Sequence, residues 1–172
     1  MSDMAPIERI LNEIKTAVEE KLYYSAIAVA LSLPEICSRL EQQTPESNRS
    51  EELYNNFFNR YIKKKYPKLK GGDLYYIRCG IAHTSTLSHR KAGFSRIIFT
   101  LPDGRGNIFH NNIINDAINI DLTIFCADII AAVEAWFHEN KENDTVLKNL
   151  KNAALYRENG IPPYITGIPV IS

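Results

Sequence analysis

From Tyr23 to Leu33 the chain is apolar on nearly every face of a helix, with Ala26, Ile27, Val29, Ala30 and Leu31 interrupted only by Ser25 and Ser32. A helix with no wet side has to be wrapped by other elements. The run is too short to span a bilayer, which needs roughly 20 apolar residues. It therefore predicts a soluble, cytoplasmic bundle assembled around this segment, with no membrane partner.

The flanking pattern supplies the wrapping. Ile7, Ile10, Leu11, Ile14 and Val18 recur at helical spacing, and Pro6 suits a first turn, so one long helix is expected over 6–33. Ser32-Leu33-Pro34-Glu35 reads as a restart, with a Ser cap, a first-turn proline and an acid three residues on, leading a short helix to about Glu41. A polar loop around Pro45 follows. Ser50-Glu51-Glu52 opens a helix bearing Leu53, Phe57 and Tyr61 on one face, and Lys63, Lys64 and Lys65 suit its C-terminal dipole. Pro67 and Gly71-Gly72 close that region, and Asp73 is expected to cap the next helix. Asp121 should cap a helix from Leu122 to about His138, and a more polar helix is expected over Asp144–Arg157.

The middle of the chain is different. Ser95–Thr100 and Asn107–Ile114 are β-branched and aromatic, and Pro102-Asp103-Gly104 between them is a turn signal. The expected fold is thus mainly α: a single-domain bundle of five to six helices over residues 1–160, with a small β-hairpin insert at about 95–114. An extended tail is expected over 161–172, which holds three prolines.

The chain has 20 basic and 20 acidic residues, but nine of the basic ones fall between Arg60 and Lys91, where Asp73 is the sole acid. One positive zone on an otherwise acidic body points to a local anionic partner. Arg60, Lys63, Lys64, Lys65, Lys68 and Lys70, interleaved with Tyr61 and Tyr66, form a segment able to hold phosphates and stack bases, and Arg90 and Lys91 extend it. Its alternative reading is a solvated helix end with cations at the negative pole. Cys37, Cys79 and Cys126 are too dispersed for a C-x-x-C pair and read as free thiols in a reducing compartment. Four scattered histidines, with His89 and His138 read as surface or interface residues, predict no metal site and no cofactor.

Between these features lies Leu74-Tyr75-Tyr76-Ile77-Arg78-Cys79-Gly80-Ile81-Ala82-His83, an apolar helix stripe carrying Arg78 and His83. A guanidinium and an imidazole are the minimum equipment for cutting RNA without a metal. Spacing alone is weak evidence, because Arg105 and His110 repeat it in the turn and strand of the insert. On a regular helix Arg78 and His83 are about 140° apart, so they would meet only if the last turn unwinds or a second copy of the helix packs alongside. Gly80 and Ala82 are small enough to admit that copy, and Gly80 otherwise costs about 1 kcal/mol relative to Ala.

In this context the chain resembles the HEPN superfamily, compact helical bundles with an Arg-x(4–6)-His motif. The likeness rests on Asp73-Leu74-Tyr75-x-x-Arg78-x(4)-His83, on the aromatic-rich helix before it and on Leu122-x-x-Phe125-x-x-Asp128 after it, and spans about 26–137. It implies a homodimer formed through the Arg78–His83 helix and metal-independent cleavage of RNA to a 2′,3′-cyclic phosphate. His83 would move the proton and Arg78 would stabilise the growing phosphorane charge. A bacterial defence or toxin setting with a cognate regulator is implied as well. Two positions depart from the family pattern. Cys79 stands where Asn or Asp often follows the motif arginine, and Ser85 stands where some toxin members have Tyr. The competing expectations are a non-catalytic interaction module, with Arg78 paired to Asp128 or Asp121 and His83 at a helix terminus, and a nucleotide-binding regulator.

Overall fold

The computed structural model describes residues 5–44, 49–84, 86–87, 93–154 and 156–172. The fold is mainly α with a small β component. The apolar segment sits at its centre. Helix α2 (Tyr23–Leu40) packs on α1 (Ala5–Glu19), α3 (Ser50–Phe57), α4 (Gly71–Thr84), α5 (Leu122–Asn140) and α6 (Asp144–Lys151). Ala26, Ala30 and Leu31 are fully buried, and one hydrophobic cluster runs from Ile7 on α1 to Leu150 on α6. Trp136, Tyr54, Tyr66, Phe57, Phe58 and Phe125 are its largest enclosed side chains. At about 1.5–3 kcal/mol for each large apolar side chain, these contacts dominate what holds the bundle together.

The expected break at Ser32–Pro34 does not occur. The chain turns earlier, at Glu20–Leu22, through a left-handed residue at Lys21 (φ 60°). Lys21 N–H donates to the Val18 carbonyl at 3.1 Å and Leu22 N–H to the Ala17 carbonyl at 2.7 Å, the paired bonds of a Schellman terminus. That terminus usually takes glycine, so no local signal marks it at Lys21. Pro34 lies inside α2, and the Ser32 hydroxyl is no cap, since it donates back to the Ala28 carbonyl at 2.8 Å. Burial of Leu31, Leu33, Pro34 and Cys37 outweighs the roughly 3 kcal/mol that an interior proline costs.

After α3 the chain widens into a π-helical turn, Phe58–Ile62. Asp121 caps α5 as expected, its Oδ1 accepting from the Thr123 and Ile124 N–H groups at 2.9 and 3.0 Å. Helix α6 ends at Lys151, short of the expected Arg157. The tail folds back in two small antiparallel pairs, β4 (Tyr156–Arg157) with β7 (Val170–Ile171) and β5 (Gly160–Ile161) with β6 (Ile165–Thr166). The Arg9 guanidinium of α1 lies 3.7 Å from the centre of the Tyr156 ring.

The insert forms strands, but their pairing differs from the expected hairpin. Strand β1 (Arg96–Thr100) runs parallel to β3 (Ala117–Asp121), and β2 (Asn112–Ile114) runs antiparallel to β3, giving the order β1-β3-β2. The tight turn is Asn115-Asp116, both left-handed, at φ 49° and 59°, a conformation these two residues tolerate better than most. Strand β3 is buried along its whole length, which gives it the central place. Ile108 and Phe109, expected in a strand, are exposed in the 101–111 loop.

Candidate functional site

Helix α4 begins at Gly71, where an added Cβ would sit 2.6 Å from Asn55 Oδ1 and 2.8 Å from Asn55 Cα, so α3 and α4 cross at close range. Asp73 is in the first turn rather than at the cap. Its Oδ2 reaches back to the Lys70 N–H at 2.8 Å, and its Oδ1 accepts the Gly93 N–H at 2.7 Å. The first bond is the returning arm of a capping box, and the second ties the loop before β1 to the start of α4.

Leu74 and Ile77 hold α4 in the core, and Arg78 emerges beside them with 28% of its side chain exposed. Its partner is neither Asp121 nor Asp128, as sequence reasoning expected, but Glu35 on α2. Arg78 Nη2 lies 3.1 Å from Glu35 Oε2, while Arg39 Nε donates to Glu35 Oε1 at 3.0 Å. Glu35 is almost fully buried, with 7% of its side chain exposed. Its Oε2 meets Arg78 as a charge pair outside hydrogen-bond geometry. The buried Tyr54 phenol belongs to the same cluster, and its Oη has no hydrogen-bond partner among the described residues. Burial pushes the Tyr54 pKa far up, with Arg78 opposing and Glu35 and Cys79 reinforcing the shift.

Cys79 packs into this cluster as well, its Sγ 4.0 Å from Arg78 Nη1. Burial first, and then the hydrogen bond with Cys79, raise the Tyr75 phenol. The thiol therefore does not have to orient Arg78, because the buried carboxylate of α2 does so. Sequence reasoning missed Glu35 because its spacing from Arg39 reads as an ordinary i,i+4 surface pair, and nothing local announces that α4 closes over it.

His83 is exposed on the last turn of α4. The helix continues unbroken to Thr84, so Arg78 and His83 keep the roughly 140° offset of a regular helix and are not brought together within one chain. Gly80 has its close neighbour already. An added Cβ would lie 2.4 Å from the carbonyl oxygen of Thr86, whose N–H donates to the Gly80 carbonyl at 3.3 Å. The approach expected of a second copy at Gly80 is occupied by the chain itself, and Ala82 remains exposed.

The basic segment is largely absorbed into the fold. Arg60 pairs with Glu41 at 2.9 Å and with Glu139 at 3.5 Å, and Trp136 Nε1 donates to the same Glu41 at 2.6 Å. Lys63 donates to the Pro67 and Leu69 carbonyls at 2.9 and 2.7 Å. Lys65 binds Asp128, which also accepts from the Tyr66 hydroxyl at 2.8 Å. Lys68 donates to the Asn111 carbonyl at 3.1 Å. Lys64 and Lys70 are exposed. His89, Arg90, Lys91, Ser85 and Pro45 lie outside the described residues. The second spacing match, Arg105 and His110, lies in the loop between β1 and β2, with the His110 ring edge-on to Tyr66 at 5.3 Å.

Among the described residues no group of three or more His, Cys, Asp or Glu side chains is placed to hold a metal, and no helix is long and apolar enough to cross a membrane. No protein family matches this chain, and neither does any curated protein or solved structure.

Proposed function

We propose that the protein is a HEPN-like RNA-directed enzyme that cleaves without a metal, with Arg78 as the anion-holding cation and His83 as the proton-transfer group. One observation carries this reading: two guanidiniums, Arg39 and Arg78, bracket the single buried carboxylate of Glu35. One guanidinium neutralises that carboxylate. The second, Arg78, is held beside it on a side chain fixed in place yet open to solvent along part of its length. A preorganised cation of this kind is what a phosphoryl transition state requires. With His83 offset on an unbroken helix, the complementary imidazole would come from a second chain, so the working unit of this proposal is a homodimer. The products would be a 2′,3′-cyclic phosphate and a 5′-hydroxyl. A cognate regulator would act by covering the end of α4.

The test is incubation of the full chain with RNA in EDTA. Cleavage by the wild type is expected, with His83→Ala slower by about 10²- to 10⁴-fold, the usual range for loss of a general acid or base. His83 is exposed, so its truncation leaves the fold intact. Intact RNA with the wild type, or equal cutting by His83→Ala, overturns the proposal.

A second reading has its own support. Thr86 fills the space over Gly80, and Arg60, Lys63, Lys65 and Lys68 are engaged within the chain. On that reading the bundle is a non-catalytic interaction module, in which Arg78 serves stability alone. His83→Ala is then silent in every RNA assay, and a gel-shift titration shows no RNA binding at physiological salt.

A further inference from the structure

The first turns of α2, the end of α4 and β1, an edge strand of its sheet, line a recess of about 630 Å³. Ile27, Ile81, Phe99 and Leu122 supply apolar wall, and Tyr24, Ile98 and Leu101 stand at its mouth, with Tyr24 83% exposed. Large apolar side chains gathered around a hollow are unusual on a surface that has no use for them. The lining is also uneven in charge. Arg96 is the one charged side chain among the described lining residues, no acid faces it there, and it makes no ion pair among the described residues.

We infer that this recess binds a small anionic amphiphile, an apolar chain or ring system carrying one carboxylate, sulfonate or phosphate, with the anionic group on Arg96. Size favours a small molecule over a docked helix. A helix fills on the order of 500 Å³ per turn, so the recess accepts about one turn, whereas helix-in-groove recognition uses anchors spread over at least two. The volume lies within the roughly 300–1,000 Å³ range of small-ligand sites, and so does the composition, mostly apolar with a few polar groups. Tyr23, Tyr24 and Thr86 supply hydroxyls at the rim. Charge then selects among amphiphiles: a cationic one would be repelled by Arg96 with no acid among the described lining residues to offset it, and a neutral one would gain nothing from an exposed guanidinium that water already solvates. The site does not depend on the RNA reading, since neither Arg78 nor His83 lines it.

Decanoate below its micellar concentration is the probe, with decan-1-ol and decyltrimethylammonium as neutral and cationic counterparts, each titrated into the full chain and followed by calorimetry and backbone amide shifts. Decanoate should bind one to one and shift the amides of β1. Arg96→Gln should weaken it about tenfold, the loss of a single charge-assisted contact, and bring it level with the alcohol. Tyr24→Glu, a change at an exposed position, should abolish decanoate binding by placing a carboxylate at the mouth. Three outcomes overturn the inference: no saturable binding, equal binding of the cationic probe, or decanoate affinity unchanged in both variants. If the ligand-free protein sediments as a dimer whose β1 amides shift with protein concentration, the recess is an interface between copies, and the inference fails in favour of that.

Discussion

Glu35 and Arg78 are partners with unequal consequences. Removing Arg78 leaves the Glu35 carboxylate still bonded to Arg39, whereas removing the carboxylate takes away the acid that both guanidiniums share. Losing both of these charged contacts costs roughly 2–4 kcal/mol, while losing one of the two costs about 1–2 kcal/mol. Urea unfolding should therefore rank Glu35→Ala as clearly more destabilising than Arg78→Ala. Equal losses would mean that Arg39 does not hold the acid once Arg78 is gone. Lys21 offers the opposite case. It occupies a left-handed backbone position at φ 60° that glycine adopts without steric cost. Lys21→Gly should raise stability by about 0.5–1 kcal/mol, read as a shift of the urea midpoint at constant slope. A fall in the midpoint would show that the Lys21 side chain contributes more than its backbone costs.

At the scale of elements, α4 ends on a contact that a single methyl group can test. An alanine at Gly80 would bring Cβ to 2.4 Å from a backbone oxygen that cannot rotate away. Gly80→Ala should cost about 1–3 kcal/mol through overpacking, and by the same amount at any protein concentration, because the obstructing Thr86 belongs to the same chain. A penalty that disappears on dilution would instead place a second chain at Gly80. Elements whose signals are local were legible in the sequence: the apolar stripes of α2 and α5, the Asp121 cap and the strand-forming character of the insert. Elements decided by competition were not. Pro34 reads as a break until five neighbouring elements are known to bury the helix around it. Pro102-Asp103-Gly104 reads as the hairpin turn, although the two-residue Asn115-Asp116 turn, with β3 apolar enough to take the centre, was the stronger pairing signal. The site shows the same division. Arg78 and His83 could be picked from the sequence, but the buried acid on α2 that fixes Arg78 could not, because only tertiary packing joins residues 43 positions apart.

The molecule as a whole is poised against alkali. Burial first, with Asp121 adding to it, raises the Cys126 thiol to about 12, and burial likewise pushes Cys37, Tyr54 and Tyr66 well above their ordinary values. A raised pKa means that the folded state holds the proton more tightly than the unfolded chain does. The associated stability is complete below the ordinary thiol and phenol values, near 8.5 and 10, and declines as pH rises through the range between those values and the raised ones. The melting temperature should therefore fall progressively above about pH 9. The same burial divides the three thiols, since Cys37 and Cys126 are enclosed while Cys79 is partly exposed beside Arg78. Iodoacetamide at pH 8 should then modify Cys79 in the native protein and reach the other two only at the rate of global unfolding. Mass spectrometry of a labelling time course separates the cases: one adduct that saturates, followed by a slow joint appearance of two more, is the expected pattern. If Cys126 reacts as fast as Cys79, then α5 opens without the rest of the bundle, and the core does not unfold as one unit.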